Sequence, residues 1–379
     1  MGDEVRGRLV LADRVASGRA VVEDGLIAKV DVDADAVASS SGASLPFIVP
    51  GFVDVHVHGW GGHDAMGGAE ALDGMARALL RRGVTSFLPT GYTQPWPVIV
   101  AFADTARAWI PRAPVDGAAP LGFNLEGPFV APARKGAHEP TLLRTPAEIG
   151  LAAVESVIDG LRLITVAPEL DGALELIAFL RDRGVPVSMG HSAATLAEAR
   201  AGYAAGGTST THLFNAMSGV DHHAPGLAVA ALTDDAAYVE LIADGHHVDV
   251  SLWPIITRTK PADRLMLVSD AIPLAGTGAG RARIGGLEVE VVDGRVTLAG
   301  TTTLAGSVIA LDSAVRNLVT SGVPLPAAVA AAGANPLAML GVSDRGRIAV
   351  GQRADLVELA DDLGVRRVMR AGEWTTPST

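Results

Sequence analysis

Short apolar segments alternate with longer amphipathic segments along most of the chain. After residue 47, eight apolar runs have the length and composition of buried β-strands. These predicted strands lie at residues 52–57, 84–89, 121–125, 161–166, 186–190, 208–213, 238–243 and 265–269.

Ala-rich amphipathic segments between these runs predict helices at 69–82, 96–109, 146–159, 172–183, 195–205, 227–233 and 251–259. Gly83 and Gly184 follow two of them, and glycine is a common helix stop. Strands that alternate with helices predict a parallel α/β sheet, and eight repeats predict a (β/α)8 TIM-like barrel. An open doubly wound sheet is the alternative. It usually has fewer strands and a glycine-rich phosphate turn, which is missing after the first strand.

The two chain ends show a different pattern. Short β-like runs lie at 8–11, 19–23 and 26–30, with a hairpin-type turn at Asp24-Gly25 and a small, polar predicted loop at 34–44. This segment holds too few apolar residues for a core of its own. It therefore needs a partner sheet from elsewhere in the chain.

The later part of the chain supplies that partner. Residues 281–300 predict a β-hairpin that turns at Asp293-Gly294, helices follow at 307–321 and 326–332, and 346–359 returns to strand. We therefore predict a small β-sandwich formed by residues 1–48 and 341–379. It would lie beside a barrel of residues 49–340, in which the hairpin is an insertion.

Composition limits the classes of function. The 379 residues are 49% hydrophobic and 19% charged, which suits a large buried core. The net charge of -12 argues against nucleic acid or an anionic membrane as a partner. There is no cysteine, so a metal site would use histidine and carboxylate. Without a signal-peptide pattern or a long apolar run, we expect a soluble, cytoplasmic protein.

The first predicted barrel strand ends in His56-Val57-His58-Gly59. A strand directs side chains i and i+2 to the same face, so His56 and His58 project together. Two imidazoles on one face form half of a metal site. The alternative is that they are ordinary polar residues where a strand meets solvent.

Active residues of barrel enzymes lie at the C-terminal ends of the strands. Any one polar strand end could be incidental, but a whole set of them predicts convergence on one barrel mouth. Six of the eight strand ends carry histidine or a carboxylate: His56 and His58, then Glu126, then His191, then His212, then Asp244 with His246 and His247, and finally Asp270.

Such a cluster suits one or two divalent metal ions per subunit, with Zn²⁺ or Fe²⁺ preferred. Glu126 could bridge two ions, or hold one together with His191 and His212. Asp270 is placed to take a proton from metal-bound water and to return it to a leaving amine. The reaction class that follows is hydrolysis of an amide or related bond by metal-bound hydroxide.

Several of these segments resemble the amidohydrolase superfamily and, within it, the family of N-acetylglucosamine-6-phosphate deacetylases. The specific stretches are Leu-Glu-Gly-Pro-Phe at 125–129 and Thr-His-Leu-Phe-Asn-Ala-Met at 211–217, whereas His-x-His marks only the superfamily. Segments 190–192, 243–247 and 269–271 add to the similarity, which covers nearly the whole chain.

The resemblance implies a metal-dependent enzyme that converts N-acetylglucosamine 6-phosphate to glucosamine 6-phosphate and acetate. Glu126, His191 and His212 match the main metal ligands of the family, and Asp270 matches its catalytic base and acid. His56 and His58 match positions that hold a second metal in some members, whereas other members use one metal.

The resemblance also implies the substrate contacts and a homodimer. His138 matches a loop histidine near the scissile carbonyl. The residues that match sugar and phosphate contacts are Ala137, His138, Asn215, Ala216, His223, His247, Leu304, Ala305 and Gly306.

One of these positions departs from the family pattern. His223 stands where the family usually has an arginine that grips the phosphate, and histidine lacks the bidentate fork of arginine. Another cation such as Arg134 or Lys135 could replace it, or the loop could align differently by a residue. The substrate could also be another N-acylated amine or amino sugar, such as N-acetylgalactosamine 6-phosphate or an unphosphorylated sugar. A catalytically silent binding protein would be expected to have lost a ligand or Asp270, and all are present.

Overall fold

The computed structural model describes residues 3–33, 45–278 and 280–375, so the predicted loop at 34–44 lies outside the described residues. Within the described residues, eight parallel strands pair in chain order and form a nearly closed barrel. The predicted (β/α)8 fold class is therefore confirmed. The strands are Phe52–Val57, Val84–Tyr92, Phe123–Glu126, Leu161–Val166, Val187–Met189, Ser209–Thr210, Tyr238–Leu241 and Leu265–Leu267.

The barrel closes just beyond its last strand. The Asp270 amide donates to the His56 carbonyl at 2.8 Å, and the His58 amide donates to the Ala271 carbonyl at 2.8 Å. The first and last strand ends are thus joined by the residues that carry the predicted chemistry.

Helices follow most of the barrel strands. The longer helices bury an apolar stripe; in the first helix Leu72, Met75 and Leu79 are at most 2% exposed. No helix among the described residues has the length and apolar character to cross a bilayer. The helices are Ala69–Leu80, Trp96–Trp109, Pro146–Ile149, Leu151–Glu155, Ala173–Arg181, Leu196–Ala205, Leu227–Thr233, Trp253–Thr259, Leu311–Thr320, Leu325–Ala331 and Ala334–Met339.

Two helix predictions need correction. The helix predicted at 146–159 is broken at Gly150, whose φ of 79° does not fit an α-helix. The helix Ala334–Met339 was not predicted, because Gly333 and Pro336 are typical of a helix end. Pro336 instead lies in the first turn of that helix, where a missing N–H costs no hydrogen bond.

The two chain ends form one seven-stranded sheet in the described part of the chain, called the terminal sheet below. Its strands, in spatial order, are Glu373–Thr375, Val365–Arg370, Leu356–Leu359, Phe47–Pro50, Asp3–Val10, Val15–Glu23 and Leu26–Val32. The strand Phe47–Pro50 pairs with both ends of the chain and leads directly into the first barrel strand.

The C-terminal strands differ from the prediction. The strand predicted at 346–359 is confined to Leu356–Leu359, because Gly346 and Gly351 have positive φ and turn the chain before it. The strand Val365–Arg370 was missed because Arg366 and Arg367 are consecutive charged residues, which obscure an alternating pattern.

A three-stranded sheet lies over the barrel mouth and is called the hairpin sheet below. Its strands are Gly280–Ile284, Leu287–Val292 and Arg295–Leu298, so the region has one strand more than the predicted hairpin. The predicted turn at Asp293-Gly294 is confirmed by the pairing of Val292 with Arg295. Val289, Val291 and Val296 pack with Ile272 and Ala305 into a separate apolar cluster, which fixes the hairpin sheet to the segment after Asp270.

Candidate active site

Two groups of ligand-type side chains meet at the C-terminal end of the barrel and share Glu126. One group contains His56, His58, Glu126 and Asp270, and the other contains Glu126, His191 and His212. In each group the candidate ligand atoms lie within 4.8 Å of one another, and every member is buried. The carboxylate of Glu126 is thus placed between two potential ion positions.

The His191–His212 group is the tighter of the two. Glu126 Oε1 lies 3.1 Å from His191 Nε2 and 2.9 Å from His212 Nε2, and the two Nε2 atoms are 3.0 Å apart. Three donor atoms therefore surround one point.

The second group contacts both oxygens of Glu126, Oε2 through His58 and Oε1 through His56. His58 Nε2 lies 3.1 Å from Glu126 Oε2 and 3.2 Å from Asp270 Oδ1. His56 Nε2 is 3.6 Å from Glu126 Oε1 and 3.6 Å from Asp270 Oδ1. Asp270 therefore faces the same small space as the two histidines of the first strand.

The Nδ1 atoms of three histidines point away from this space and contact acceptors. His58 Nδ1 lies 3.1 Å from the Thr90 carbonyl, and His191 Nδ1 lies 2.9 Å from the Arg134 carbonyl. His56 Nδ1 lies 3.1 Å from Glu240 Oε2. An acceptor at Nδ1 keeps a proton there and leaves Nε2 with a lone pair for a metal.

The donor set fits a divalent metal ion. Histidine nitrogens and carboxylates are the ligands that Zn²⁺ and Fe²⁺ bind in cysteine-free sites. The buried Nε2 of His56 has no hydrogen-bond partner among the described residues, although the side chain is fully buried. A buried polar atom without a partner is costly unless another group satisfies it, and a metal ion would do so.

Electrostatics within the cluster are strongly coupled. Burial opposes the charge of His56, but the carboxylates of Glu126 and Asp270 outweigh it and raise its pKa well above the usual value. Burial also disfavours the ionised form of Asp270, but the charges of His56 and His58 hold its pKa below the usual value. The pKa of Glu126 is likewise lowered against the effect of burial. Both carboxylates are therefore ionised at neutral pH, as a cation site requires.

Several of the convergent residues have a left-handed backbone. The φ angles of His191, His212 and Asp270 are 48°, 29° and 49°. Residues other than glycine rarely adopt positive φ, and such strained positions cluster at functional sites. Here the chain turns sharply at the end of each strand and directs the side chain into the barrel mouth.

His138 completes the inner wall of the site. It is 8% exposed, its Nδ1 lies 2.7 Å from the Thr93 hydroxyl, and its Nε2 lies 3.7 Å from Glu126 Oε2. Burial, together with the neighbouring charge of His191, lowers the pKa of His138 to about 3. This imidazole is therefore neutral at physiological pH.

A cavity of about 650 Å³ opens above the cluster. Its size and its mixture of apolar and polar walls suit a small-molecule ligand. His223 is not among the residues that line it; it lies in an exposed loop, where its amide donates to Asp221 at 2.7 Å. All the other predicted substrate contacts line the cavity: Ala137, His138, Asn215, Ala216, His247, Leu304, Ala305 and Gly306.

Four residues of this region were not predicted from the sequence: Tyr92, Thr93, Arg295 and Glu240. Tyr92 and Thr93 were missed because the second strand was ended at Pro89, although it continues to Tyr92. Arg295, in the hairpin sheet, also lines the cavity. Glu240 was missed because it lies within a strand, and only residues at strand ends were considered as candidates. Its signal was a lone carboxylate inside an otherwise apolar strand.

The fold and this cluster define a class of protein, and a sequence comparison identifies that class. The model of the amidohydrolase family matches residues 47–375, and the chain belongs to that family.

Within this family the chain is similar to sugar-phosphate deacetylases. The N-acetylgalactosamine-6-phosphate deacetylase of Escherichia coli O157:H7 is 38% identical over 359 residues, which cover 93% of each chain. The human N-acetylglucosamine-6-phosphate deacetylase is 38% identical over 346 residues, which cover 86% of this chain and 82% of the human one.

Solved structures show the same similarity. N-acetylglucosamine-6-phosphate deacetylase from Thermotoga maritima superposes with a TM-score of 0.90 at 32% identity, covering 98% of this chain and 99% of that one. A mutant of the Mycobacterium smegmatis enzyme, in complex with N-acetyl-D-glucosamine-6-phosphate, gives a TM-score of 0.89 at 35% identity with the same coverage.

Proposed function

We propose that this chain is a metal-dependent deacetylase that hydrolyses N-acetylglucosamine 6-phosphate to glucosamine 6-phosphate and acetate. The observation that carries this proposal is the pair of ligand groups that share Glu126 beside Asp270 at the floor of the cavity. Relatives at 37–38% identity that are named N-acetylglucosamine-6-phosphate deacetylase support this sugar, whereas one relative at 38% identity is named for its epimer, N-acetylgalactosamine 6-phosphate.

The proposed metal ligands are His56, His58, Glu126, His191 and His212. A bound Zn²⁺ or Fe²⁺ would polarise the amide carbonyl and lower the pKa of a water molecule. The two groups support two ions per subunit, with Glu126 between them.

Asp270 is the proposed general base and acid. Its ionised carboxylate faces the cavity, where it can take a proton from the attacking water and pass it to the departing sugar amine. We expect Asp270→Asn to keep its metal content, because it retains an oxygen near His58, and to lose turnover. Metal analysis and acetate release measured on the same sample check this, and normal turnover by the variant would contradict the proposed role.

His138 is proposed to hold the oxyanion that forms at the carbonyl. Its neutral ring can donate one hydrogen bond from Nε2, provided that the Thr93 hydroxyl donates to Nδ1. Asn215, Ala216 and the Leu304–Gly306 turn are proposed to contact the sugar. His247 can contact the phosphate from Nε2, since its Nδ1 lies 2.7 Å from Asp244 Oδ2.

The position of His223 supports a homodimer. His223 and Val220 lie in one exposed loop, and Val220 is 66% exposed, which is unusual for an apolar side chain. We propose that this loop faces a second copy and contributes His223 to the substrate site of that copy. A charged sugar phosphate is retained inside cells, which supports a cytoplasmic location.

The proposed function is tested by acetate release from metal-reconstituted protein with three substrates. These are N-acetylglucosamine 6-phosphate, its C4 epimer N-acetylgalactosamine 6-phosphate, and unphosphorylated N-acetylglucosamine. We expect the first to have the highest kcat/KM. A preference for the epimer would assign N-acetylgalactosamine 6-phosphate as the substrate. Equal rates with and without phosphate would contradict a sugar-phosphate substrate.

A further inference from the structure

Glu240 is a fully buried carboxylate at the floor of the barrel mouth. It lies in the seventh barrel strand, Tyr238–Leu241, and has no place among the proposed ligands or proton carriers. An ionisable group that is 0% exposed costs free energy unless it is paired, so its presence requires an explanation.

A single oxygen of Glu240 connects the two ligand groups. Glu240 Oε2 lies 3.1 Å from His56 Nδ1 and accepts a hydrogen bond from the His212 amide, also at 3.1 Å. His56 belongs to the group with His58 and Asp270, whereas His212 belongs to the other group.

His56 depends on this contact more than the other histidines depend on theirs. His58 Nδ1 and His191 Nδ1 face main-chain carbonyl oxygens, which a side-chain substitution would not remove. The ring of His56 has Glu240 as its hydrogen-bond partner, and its Nε2 has none within the described ranges. A carboxylate behind a metal-binding imidazole fixes its tautomer and makes it a stronger ligand.

We infer that Glu240 is a positioning residue that presents His56 Nε2 to an ion at the His56–His58 position and ties that position to the strand end carrying His212. This inference rests on the proposed metal-dependent function. It concerns ion binding rather than turnover, so the two can fail separately.

Substituting Glu240 should affect the two ion positions unequally. The peptide after His212 keeps a second anchor, because the Leu213 amide donates to the Glu240 main-chain carbonyl at 2.8 Å. The ring of His56 has no such main-chain substitute. The ion at the His56–His58 position should therefore weaken, while the ion held by Glu126, His191 and His212 should stay near wild-type affinity.

The test is Co²⁺ binding to the metal-free full-length protein. Equilibrium dialysis and the visible absorption of Co²⁺ measure the binding. We expect wild type to bind two ions, and Glu240→Gln to bind one of them about 10- to 100-fold more weakly. Glu358→Gln is a matched control, because Glu358 is also a buried strand glutamate but pairs with Arg367 in the terminal sheet. The control should bind both ions as wild type does.

Glu240→Asp distinguishes the effect of the carboxylate's position from the effect of its charge. It is also the test variant if Glu240→Gln does not fold. It keeps the negative charge but shortens the side chain, so its oxygen no longer reaches both partners. We expect the same selective loss. Wild-type binding by Glu240→Asp, equal weakening of both ions, or only one ion bound by wild type would each overturn the inference. Acetate release from wild type reports separately on the proposed function.

Discussion

The Thr93 hydroxyl is the side chain that can determine which nitrogen of His138 carries the proton. Because the pKa of His138 is about 3, the ring carries only one proton at neutral pH. The Thr93 hydroxyl lies 2.7 Å from Nδ1, and in the tautomer where it donates to Nδ1 the proton is on Nε2, on the side of Glu126.

We therefore expect Thr93→Val, which keeps the shape of the side chain, to lower kcat and to leave metal content unchanged. A neutral hydrogen bond contributes about 1 kcal/mol, which corresponds to about a fivefold fall in kcat. Steady-state kinetics with metal analysis check this. An unchanged kcat would mean that His138 does not act through its Nε2 proton.

The cation that meets the phosphate is a second question at the scale of single residues. Arg134, Lys135 and Arg295 line the cavity, whereas His223 does not. Arg295 begins the last strand of the hairpin sheet. A Cβ atom built on its neighbour Gly294 would lie 3.9 Å from His246 Nε2, so Arg295 lies beside the loop that carries His247.

We expect Arg295→Gln to raise KM for N-acetylglucosamine 6-phosphate about 10- to 100-fold, because it removes a charge-assisted hydrogen bond. The KM for the unphosphorylated sugar should not change. Arg283→Gln is the control, since Arg283 lies in the same sheet but does not line the cavity. A larger effect from Arg134→Gln would assign the phosphate contact to Arg134 instead.

At the scale of elements, the helix Leu196–Ala205 shows how local sequence fixes the loop after His191. Thr195 caps this helix: its hydroxyl accepts from the Glu198 amide at 3.3 Å, and the Glu198 carboxylate accepts from the Thr195 amide at 2.8 Å. This capping box satisfies amides that would otherwise lack a partner at the helix start.

We expect Thr195→Ala to lower the free energy of unfolding by about 1 kcal/mol and to leave kcat unchanged. Urea unfolding and steady-state kinetics measure the two effects. If kcat fell together with stability, the cap would also be needed to hold His191 in place.

The sequence was most informative about the secondary-structure elements and the residues at their ends. The eight strands and the positions of His56, His58, Glu126, His191, His212 and Asp270 at their ends could be predicted, because apolar runs, glycine stops and polar strand ends are local signals. Their convergence on one barrel mouth, with Glu126 able to bridge two ions, was also predicted. The backbone geometry that directs the side chains inward was not, since it depends on the positive φ angles at His191, His212 and Asp270. Thr93 had no local signal of its role. The lone carboxylate of Glu240 in an apolar strand was a signal, but it did not indicate that Glu240 contacts His56.

At the scale of the whole molecule, the terminal sheet supports the first barrel strand. Met369 is 0% exposed and packs in the apolar cluster of this sheet with Ile48, just before the strand that carries His56 and His58. We expect Met369→Ala to lower the free energy of unfolding by about 2–5 kcal/mol.

Arg366→Ala is the matched control, because Arg366 lies in the same strand with an exposed side chain. It should change stability by no more than about 0.5 kcal/mol. Chemical unfolding of both variants measures the difference. Equal losses would mean that the strand Val365–Arg370 contributes through its backbone pairing rather than through its buried side chain.

The placement of the strand Phe47–Pro50 has a consequence for the order in which the protein becomes active during synthesis. This strand is synthesised long before Leu356–Leu359, the strand with which it pairs. A ribosome-bound chain that ends before residue 356 carries every proposed ligand and still lacks the support beneath the first of them. The newly made enzyme should therefore acquire metal only after Leu356–Leu359 has been synthesised, and chains terminated before residue 356 should be inert despite an intact set of site residues.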